Sequence, residues 1–136
     1  MDLKLNIFND TKYKYLPYKK IKSAIGRVFE NEGIKEVNVN LIFAEKAFIR
    51  EMNKEYLGHD HDTDVIAFPM EEDSLFGEIY ISVEKAIEQA KDYKVSREEE
   101  LLRLSVHGAL HLAGYKDFTD EQRKKMHQLE NSYIKQ

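Results

Sequence analysis

The sequence of 136 residues predicts a single domain, residues 1–136, of the α/β (α+β) class, with a mixed sheet of about four strands and about five helices. Short segments in which apolar and polar residues alternate, as in half-buried strands, are separated by segments with helical apolar spacing. Three helical segments follow one another without a break at the C-terminal end, which favours helices packed against a sheet. No linker rich in proline, glycine or serine divides the chain, so one domain accommodates its length.

The first predicted strand covers residues 3–7, where apolar residues alternate with polar ones. Pro17 then opens a helix that runs to about residue 31, because proline suits a first helical turn and the apolar residues that follow recur at helical spacing. Gly33 closes this helix. Alternating apolar residues predict a second strand at 37–43.

A second helix is predicted over residues 45–57 and ends at Gly58. A polar loop then leads to a short apolar strand at 65–68. A turn region at 71–77 and a further strand at 78–81 follow. Four side chains of the second helix are expected to face inward: Phe48, Ile49, Met52 and Tyr56.

Three helices complete the chain, and a serine or threonine stands before each of them. Such a residue can accept a hydrogen bond from the first helical turn, and a Glu or Gln three positions later completes a capping box. The helices are predicted at 83–93, at 97–113 and from about 119 to 135. The capping residues are Ser82, Ser96 with Glu99, and Thr119 with Gln122.

The composition excludes several kinds of site. The chain contains no cysteine, which excludes disulfides, thiolate metal ligands and cysteine nucleophiles, so a bound metal would need nitrogen and oxygen ligands. No apolar run approaches the roughly 20 residues that span a bilayer, and the first residues lack the features of a signal peptide. We therefore expect a soluble, cytoplasmic protein without a membrane partner.

Basic residues concentrate in one stretch of an acidic chain. The net charge is −4, and an acidic protein is not an obvious nucleic-acid binder, because phosphate contacts rely on Lys and Arg. Residues 12–27 nevertheless carry six of these cations, with three tyrosines interleaved. Two interpretations stay open for this stretch, a solvated helix face or a surface that meets a polyanion.

The helix predicted at 97–113 carries the most specific signal in the chain. His107 and His111 stand four residues apart, so both imidazoles lie on one helical face, and Asp117 follows directly after the turn. Two imidazoles placed in this way can share a divalent metal, which predicts a zincin-like metal helix. The alternative is a pair of hydrogen-bonded core histidines. No Glu stands between the histidines, which disfavours a zinc-peptidase mechanism.

The remainder of this helix is nearly apolar all round, which is typical of a buried helix. Glu100 and Arg103 continue the histidine stripe, and buried polar groups need partners, so we expect these two side chains to support the imidazoles. Gly108 lies inside the helix at a cost of about 1 kcal/mol relative to alanine. The close approach of a strand or a ligand would explain a residue without a side chain at this position.

Several segments together carry a family resemblance. Residues 107–117 read HGALHLAGYKD, residues 56–69 read YLGHDHDTDVIAFP, and residues 77–82 read GEIYIS. Met126 and Glu130 complete the pattern on the last helix. Taken in their order along the chain, these segments resemble the YbeY family of metal-dependent endoribonucleases, which act in ribosomal RNA maturation.

The resemblance implies a small α/β fold with a four-stranded sheet and one metal ion, usually zinc, held by three side chains. His107 and His111 match the first two ligands of the family. Asp117 stands where the family usually has a third histidine, and a carboxylate is an ordinary zinc ligand. Leu57 stands where many members carry an arginine that is linked to activity, and leucine cannot bind phosphate.

The resemblance further implies a metal-dependent, single-strand-preferring endoribonuclease acting in rRNA maturation and ribosome biogenesis. Its partners would be single-stranded rRNA precursors and the ribosome or ribosome-associated proteins. His59 is the candidate proton-transfer group, and Thr63 and Asp64 are candidate substrate-binding residues that order the loop beside the cleft. The alternative is a non-catalytic ribosome-assembly factor with a structural metal, which the missing arginine favours. A hydrolase acting on a small molecule or a peptide has less support, because the Glu base is missing.

Overall fold

A computed structural model describes residues 2–69 and 75–135, and within these ranges the chain forms four strands and five helices. The strands are β1 (Asp2–Asn9), β2 (Glu36–Ala44), β3 (Val65–Pro69) and β4 (Leu75–Ser82). The helices are α1 (Tyr18–Asn31), α2 (Lys46–Leu57), α3 (Val83–Tyr93), α4 (Arg97–Leu112) and α5 (Asp120–Ile134). The element order is the one that the sequence predicts.

The four strands form one mixed sheet in the order β1-β2-β4-β3. β2 pairs in parallel with both β1 and β4, whereas β3 pairs antiparallel with β4 at one edge of the sheet. Helices α1, α3, α4 and α5 pack together over one face, and α2 lies on the opposite face. This architecture confirms the predicted α/β (α+β) class with a mixed sheet.

The strand pleat divides the apolar residues between the two faces. Successive side chains of a strand point to opposite sides, so Leu41 and Phe43 enter the large core under α4, while Ile42 points toward α2. The core on the α2 side is much smaller. Its buried members are Ile42, Ala44, Ile49 and Ile66.

Helix α4 lies in the middle of the large core, in contact with α1, α3, α5, β3 and β4. A Cβ atom added at Gly108 would lie 2.6 Å from Cγ2 of Ile79. The helix backbone therefore approaches β4 too closely to leave room for a side chain at position 108. The predicted close approach of a strand at this glycine is therefore confirmed. This packing fixes the histidine-bearing end of α4 against the sheet.

The inward face predicted for α2 is only partly correct. Ile49 is buried and Met52 is half-buried, but Phe48 is 53% exposed and Tyr56 is 67% exposed. Helix α2 packs against β4 and touches only the start of α3, so no helix of the described ranges covers the flanks of its apolar stripe. The buried polar residue on this helix is Asn53, whose Nδ2 donates to the carbonyl of His61 at 3.0 Å.

Smaller differences concern the ends of elements. Strand β4 begins at Leu75 rather than at residue 78, since its pairing with β2 extends to Val37, and the remainder of the predicted turn, 71–74, lies outside the described residues. At α4, Oγ of Ser96 accepts a hydrogen bond from the N–H of Glu99. The capping box at α5 is complete. No helix in the described ranges combines the length and apolar character of a membrane-spanning segment.

Candidate metal centre

Three side chains converge at the C-terminal end of α4. The Nε2 atoms of His107 and His111 lie 3.0 Å apart, because a spacing of four residues places them one helical turn from each other. Gly114, with a φ of 107°, ends the helix and turns the chain back, which brings Asp117 over the same face. Oδ2 of Asp117 lies 3.3 Å from Nε2 of His111 and 3.5 Å from Nε2 of His107.

The second nitrogen of each imidazole shows where the ring proton lies. Nδ1 of His107 is 2.6 Å from Oε2 of Glu130, and Nδ1 of His111 is 3.0 Å from the carbonyl oxygen of Tyr115. Both partners are acceptors, so each Nδ1 donates. In the neutral rings, both Nε2 atoms therefore carry lone pairs.

Three acceptor atoms thus face one another, two imidazole nitrogens and one carboxylate oxygen. With both rings neutral, such an arrangement is repulsive unless a metal ion, or a proton on one Nε2 atom, lies among them. Zinc bonds of about 2.0–2.1 Å in tetrahedral geometry place ligand atoms about 3.3 Å apart, and the separations of 3.0, 3.3 and 3.5 Å match this value. Among the described residues, His107, His111 and Asp117 are the group whose ligand atoms converge in this way. The donor set therefore fits one divalent metal ion.

Solvent reaches this cluster. The side chains of His107, His111 and Asp117 are 19%, 28% and 33% exposed, so the three groups are fixed by packing without being sealed by protein. A metal held by three protein ligands can keep a position for water or substrate, which is typical of catalytic rather than structural zinc sites. The exposure favours chemistry at this site.

Glu130 connects the cluster to a buried charge network. Its Oε2 accepts from His107, and its Oε1 accepts from Nη1 of Arg103 at 2.9 Å. Nε of Arg103 donates to Oε1 of Glu100 at 2.7 Å. Glu100 and Glu130 are only 1% and 2% exposed, so the guanidinium between them offsets two buried negative charges. Arg103 and Glu100 therefore support His107 only indirectly, through Glu130 of α5. The ring of His111 is held by the carbonyl of Tyr115 instead.

The pKa shifts reflect the same network. Burial disfavours the charged form of His107, but the hydrogen bond and charge of Glu130, with the charges of Asp117 and Asp64, raise the pKa of His107 above its usual value. Burial opposes the charge of Glu130, yet its bonds to His107 and Arg103 lower the pKa of this carboxyl. The surroundings of His107 therefore favour a positive charge, which a metal ion also supplies.

The loop before β3 contributes its candidate residues in different ways. Asp64 is held on both oxygens: Oδ1 accepts from the N–H of Val65 at 2.8 Å, and Oδ2 accepts from Nε2 of Gln89 at 3.1 Å. Thr63 is half-buried beside it. His59 is exposed, and its ring stacks on His61 with centroids 5.5 Å apart. His59 does not belong to the ligand cluster found among the described residues, and its proton-transfer role stays a prediction.

Comparisons with known proteins agree with this geometry. A family model described as "Endoribonuclease YbeY" matches residues 6–136. The chain belongs to the YbeY family. Membership confirms the predicted resemblance and the predicted enzyme class, and it extends the similarity to most of the length of the chain.

Individual YbeY relatives are similar over most of their own length as well. The protein named endoribonuclease YbeY of Chlorobium phaeovibrioides is 38% identical over 128 residues, which are 93% of this chain and 86% of that protein. The relative of the same name from Flavobacterium psychrophilum is 41% identical over 112 residues, 82% of this chain and 80% of that protein. The solution structure of TM1509 from Thermotoga maritima matches with a TM-score of 0.68 and 32% identity, covering 96% of this chain and 87% of that chain.

The role of Glu130 is what sequence reasoning missed at this site. The resemblance marked Glu130 as a matching position, but nothing in its local sequence showed that it would contact His107. One signal was available: Met126, Glu130 and Tyr133 share one face of α5, and all three are buried. A carboxylate on the inward face of an amphipathic helix needs a charged or hydrogen-bonding partner.

Proposed function

We propose that this chain is a metal-dependent endoribonuclease that prefers single-stranded RNA and acts in rRNA maturation and ribosome biogenesis. The observation that carries the proposal is the convergence of three acceptor atoms, from His107, His111 and Asp117, at an accessible end of α4. A divalent ion bound there, zinc by family resemblance, would polarise a phosphoryl oxygen and lower the pKa of a bound water. Membership of a family whose relatives are named endoribonucleases supports RNA as the substrate.

The protein side chains have separate tasks in this proposal. Glu130 holds the ring of His107 with Nε2 directed to the cluster, and the carbonyl of Tyr115 does the same for His111. Asp64, bonded to Val65 and Gln89, orders the loop on which Thr63 would contact substrate. His59, exposed on the same loop, is the proposed proton-transfer group.

The proposed partners follow from the proposed activity. They are single-stranded precursors of rRNA and the ribosome or proteins associated with it, and the proposed location is the cytoplasm. RNA is a polyanion, so a binding surface for it should gather cations within a chain of net charge −4. The basic stretch 12–27 is the segment that offers such a concentration.

A second function is a ribosome-assembly factor in which the metal only stabilises the packing of α4 and α5. Leu57 favours it, because this 48% exposed residue at the end of α2 cannot bind phosphate where many family members carry an arginine. The partial exposure of the metal cluster favours the enzyme.

A cleavage assay separates the two functions. Labelled single-stranded RNA is incubated with the wild type, with His111→Ala and with Gln128→Ala, each with and without a chelator. Gln128 is exposed on α5, outside the cluster, and serves as the control. We expect the wild type and Gln128→Ala to cleave the RNA, and we expect both the chelator and His111→Ala to abolish cleavage.

The remaining outcomes are equally informative. Cleavage that survives both the chelator and His111→Ala would eliminate the metal-dependent mechanism. One equivalent of metal per chain, measured by elemental analysis, with no cleavage of any RNA would favour the assembly factor.

A further inference from the structure

The charges of this chain are strongly segregated. Residues 11–29 contain six Lys or Arg residues and no Asp or Glu, so the remaining residues carry a net charge of −10 within a total of −4. The structure places this stretch in the loop after β1 and in the first three turns of α1. One surface of an acidic protein is therefore basic.

Only some of these cations have partners within the molecule. Lys20 forms an ion pair with Glu98, and Arg27 is half-buried. Four exposed lysines of the stretch make no ion pair in the part of the chain that the structure describes: Lys12, Lys14, Lys19 and Lys22. Their charge is available to an external anion.

Lys22 lines a groove of about 330 Å³ between β1 and α1, and Lys19 lies one helical turn before it. β1 is an edge strand that pairs with β2 alone among the described strands. Tyr18 on the wall of the groove is 38% exposed, which is high for a large aromatic side chain. The ring of Phe8 lies on the other face of the sheet, because Phe8 is paired with Ile42, which points toward α2. The groove is lined by Leu5, Asn6, Ile7, Phe8, Tyr18 and Lys22.

We infer that this groove binds a nucleotide of single-stranded RNA, with the base against Tyr18 and the phosphate near Lys22 and Lys19. An aromatic ring stacks on any base, and lysines beside it track the backbone, which is how proteins bind single strands without reading sequence. This inference rests on the proposed function and names a substrate contact separate from the metal cluster.

An extended peptide is the competing occupant, because a free strand edge can pair with another strand. Charge decides against it here. A peptide of arbitrary sequence carries no regular negative charge that unpaired lysines could attract, whereas every nucleotide of RNA brings a phosphate. The exposed Lys22, the partly exposed ring of Tyr18 and the groove coincide at one place, and a single-stranded polyanion with flat bases fits all three.

The groove is remote from the metal cluster. β1 and β3 lie at opposite edges of the sheet, and the histidine end of α4 packs near β3. Three inter-strand spacings amount to about 14 Å. An RNA strand several nucleotides long would therefore be held at the groove while another part of it lies at the metal. Substitutions in the groove should weaken RNA binding without changing the chemistry.

The first experiment measures salt-dependent affinity. A fluorescein-labelled 2′-O-methyl RNA of 12 nucleotides is titrated with metal-loaded full-length protein, and anisotropy is recorded at several KCl concentrations. For the double variant Lys19→Gln and Lys22→Gln, we expect weaker binding and a slope of log K against log salt that is smaller by about 1.4, at about 0.7 per phosphate contact. The matched control replaces two exposed lysines of α5, Lys124→Gln and Lys125→Gln, and should leave the slope unchanged.

The second experiment tests stacking. Tyr18→Leu keeps an apolar side chain but removes the aromatic ring, and we expect roughly fivefold weaker binding or more, from the loss of one stacked base. Tyr18→Phe should keep the wild-type affinity. Tyr56→Leu, at an exposed tyrosine outside the groove, should not weaken binding. Metal content and thermal midpoint are measured for each variant, so that a loss of folding is recognised.

Equal salt slopes for the two lysine pairs, together with unchanged affinity in Tyr18→Leu, would overturn the inference, and a groove used by a peptide strand would give this result. Cleavage assays separate this failure from that of the proposed function. RNA cleavage with the same KM in wild type and Lys19→Gln/Lys22→Gln would overturn the groove and leave the endoribonuclease intact. Tight RNA binding that these variants weaken, without any cleavage, would support the groove and contradict the endoribonuclease.

Discussion

Helices α4 and α2 pack on opposite faces of the same sheet and hold their polar groups in different ways. Helix α4 is surrounded by helices and strands, and the charged side chains of its buried stripe have partners, as Arg103 has in Glu100 and Glu130. Helix α2 buries Ile49 and Asn53, and most of its other residues are exposed. Packing and hydrogen bonds on all sides can hold functional groups within about 0.5 Å of a required geometry, and a helix on an open face has fewer of these contacts.

The same difference separates the candidate functional groups. The rings of His107 and His111 are each fixed by a hydrogen bond at Nδ1, so their geometry exists before any metal binds. His59, in the loop after α2, has an exposed ring with a stacked neighbour, His61. We expect substitutions around α4 to have large effects and those on α2 to have small ones.

The largest effect is expected from Glu130→Ala. The change leaves Arg103 with one carboxylate instead of two and removes the acceptor of His107, and breaking a buried charge pair costs about 3–5 kcal/mol. The free energy of unfolding in urea measures this loss. Glu121→Ala, at an exposed position on the same helix, should stay within about 0.5 kcal/mol of wild type. A loss below 1 kcal/mol for Glu130→Ala would mean that the network contributes little.

Glu130→Gln sharpens the comparison, because it keeps the shape of the side chain and removes its charge. The His107 ring would lose a charged acceptor, and changes of this kind weaken metal affinity about 10- to 100-fold. Calorimetric titration with Zn²⁺ measures the change, with Glu121→Gln as the control. An unchanged affinity would show that Glu130 only stabilises the fold.

Gly108→Ala tests the close contact of α4 with the sheet. The added Cβ would lie 2.6 Å from Cγ2 of Ile79, and overpacking of this kind costs about 1–3 kcal/mol. Gly26→Ala in α1 is the matched control, since its Cβ would find its nearest neighbour at an ordinary 3.5 Å, so that helix propensity should stabilise the protein by up to about 1 kcal/mol. Thermal and urea unfolding should show a lower free energy of unfolding for Gly108→Ala and a higher one for Gly26→Ala. Changes of the same sign in the two variants would contradict the packing of α4.

The smallest effect is expected from Tyr56→Ala on α2. The exposed Tyr56 ring packs against Phe68 with centroids 5.8 Å apart, and the loss of one such pair costs about 1 kcal/mol. An inward-facing tyrosine, as the sequence predicts here, would cost about 3–5 kcal/mol. Urea unfolding distinguishes the two values, and the larger one would restore the predicted orientation.

Sequence reasoning succeeded where one element carries the whole signal. The spacing of His107 and His111 on one helix, with Asp117 one turn beyond, predicted a cluster that the structure brings together. The face of α2 was predicted less well, because apolar periodicity marks an amphipathic helix without showing how much of it the sheet covers. Phe48 and Tyr56 have the spacing of an apolar helix face, yet both are largely exposed, because no described helix packs over them.

Contacts between separate elements were the second kind of feature that the sequence did not predict. Glu130 lies 23 residues after His107 on a separate helix, and no local pattern shows that two helix faces will meet at that pair. The early start of β4 at Leu75 has a similar origin, since its length depends on pairing with β2. Propensity describes a segment alone, whereas partners on other segments decide these features.

The metal cluster proposed at the end of α4 would also couple the stability of the folded chain to the availability of its ion. Two imidazole nitrogens and a carboxylate oxygen converge there only in the folded state, so an ion held by them would bind the folded chain in preference to the unfolded one. At a free ion concentration 100 times the Kd, such binding adds about 2.7 kcal/mol to the free energy of unfolding. We therefore expect a shortage of that ion to lower the amount of folded protein as well as its activity, because unfolded chains are the ones that proteases remove.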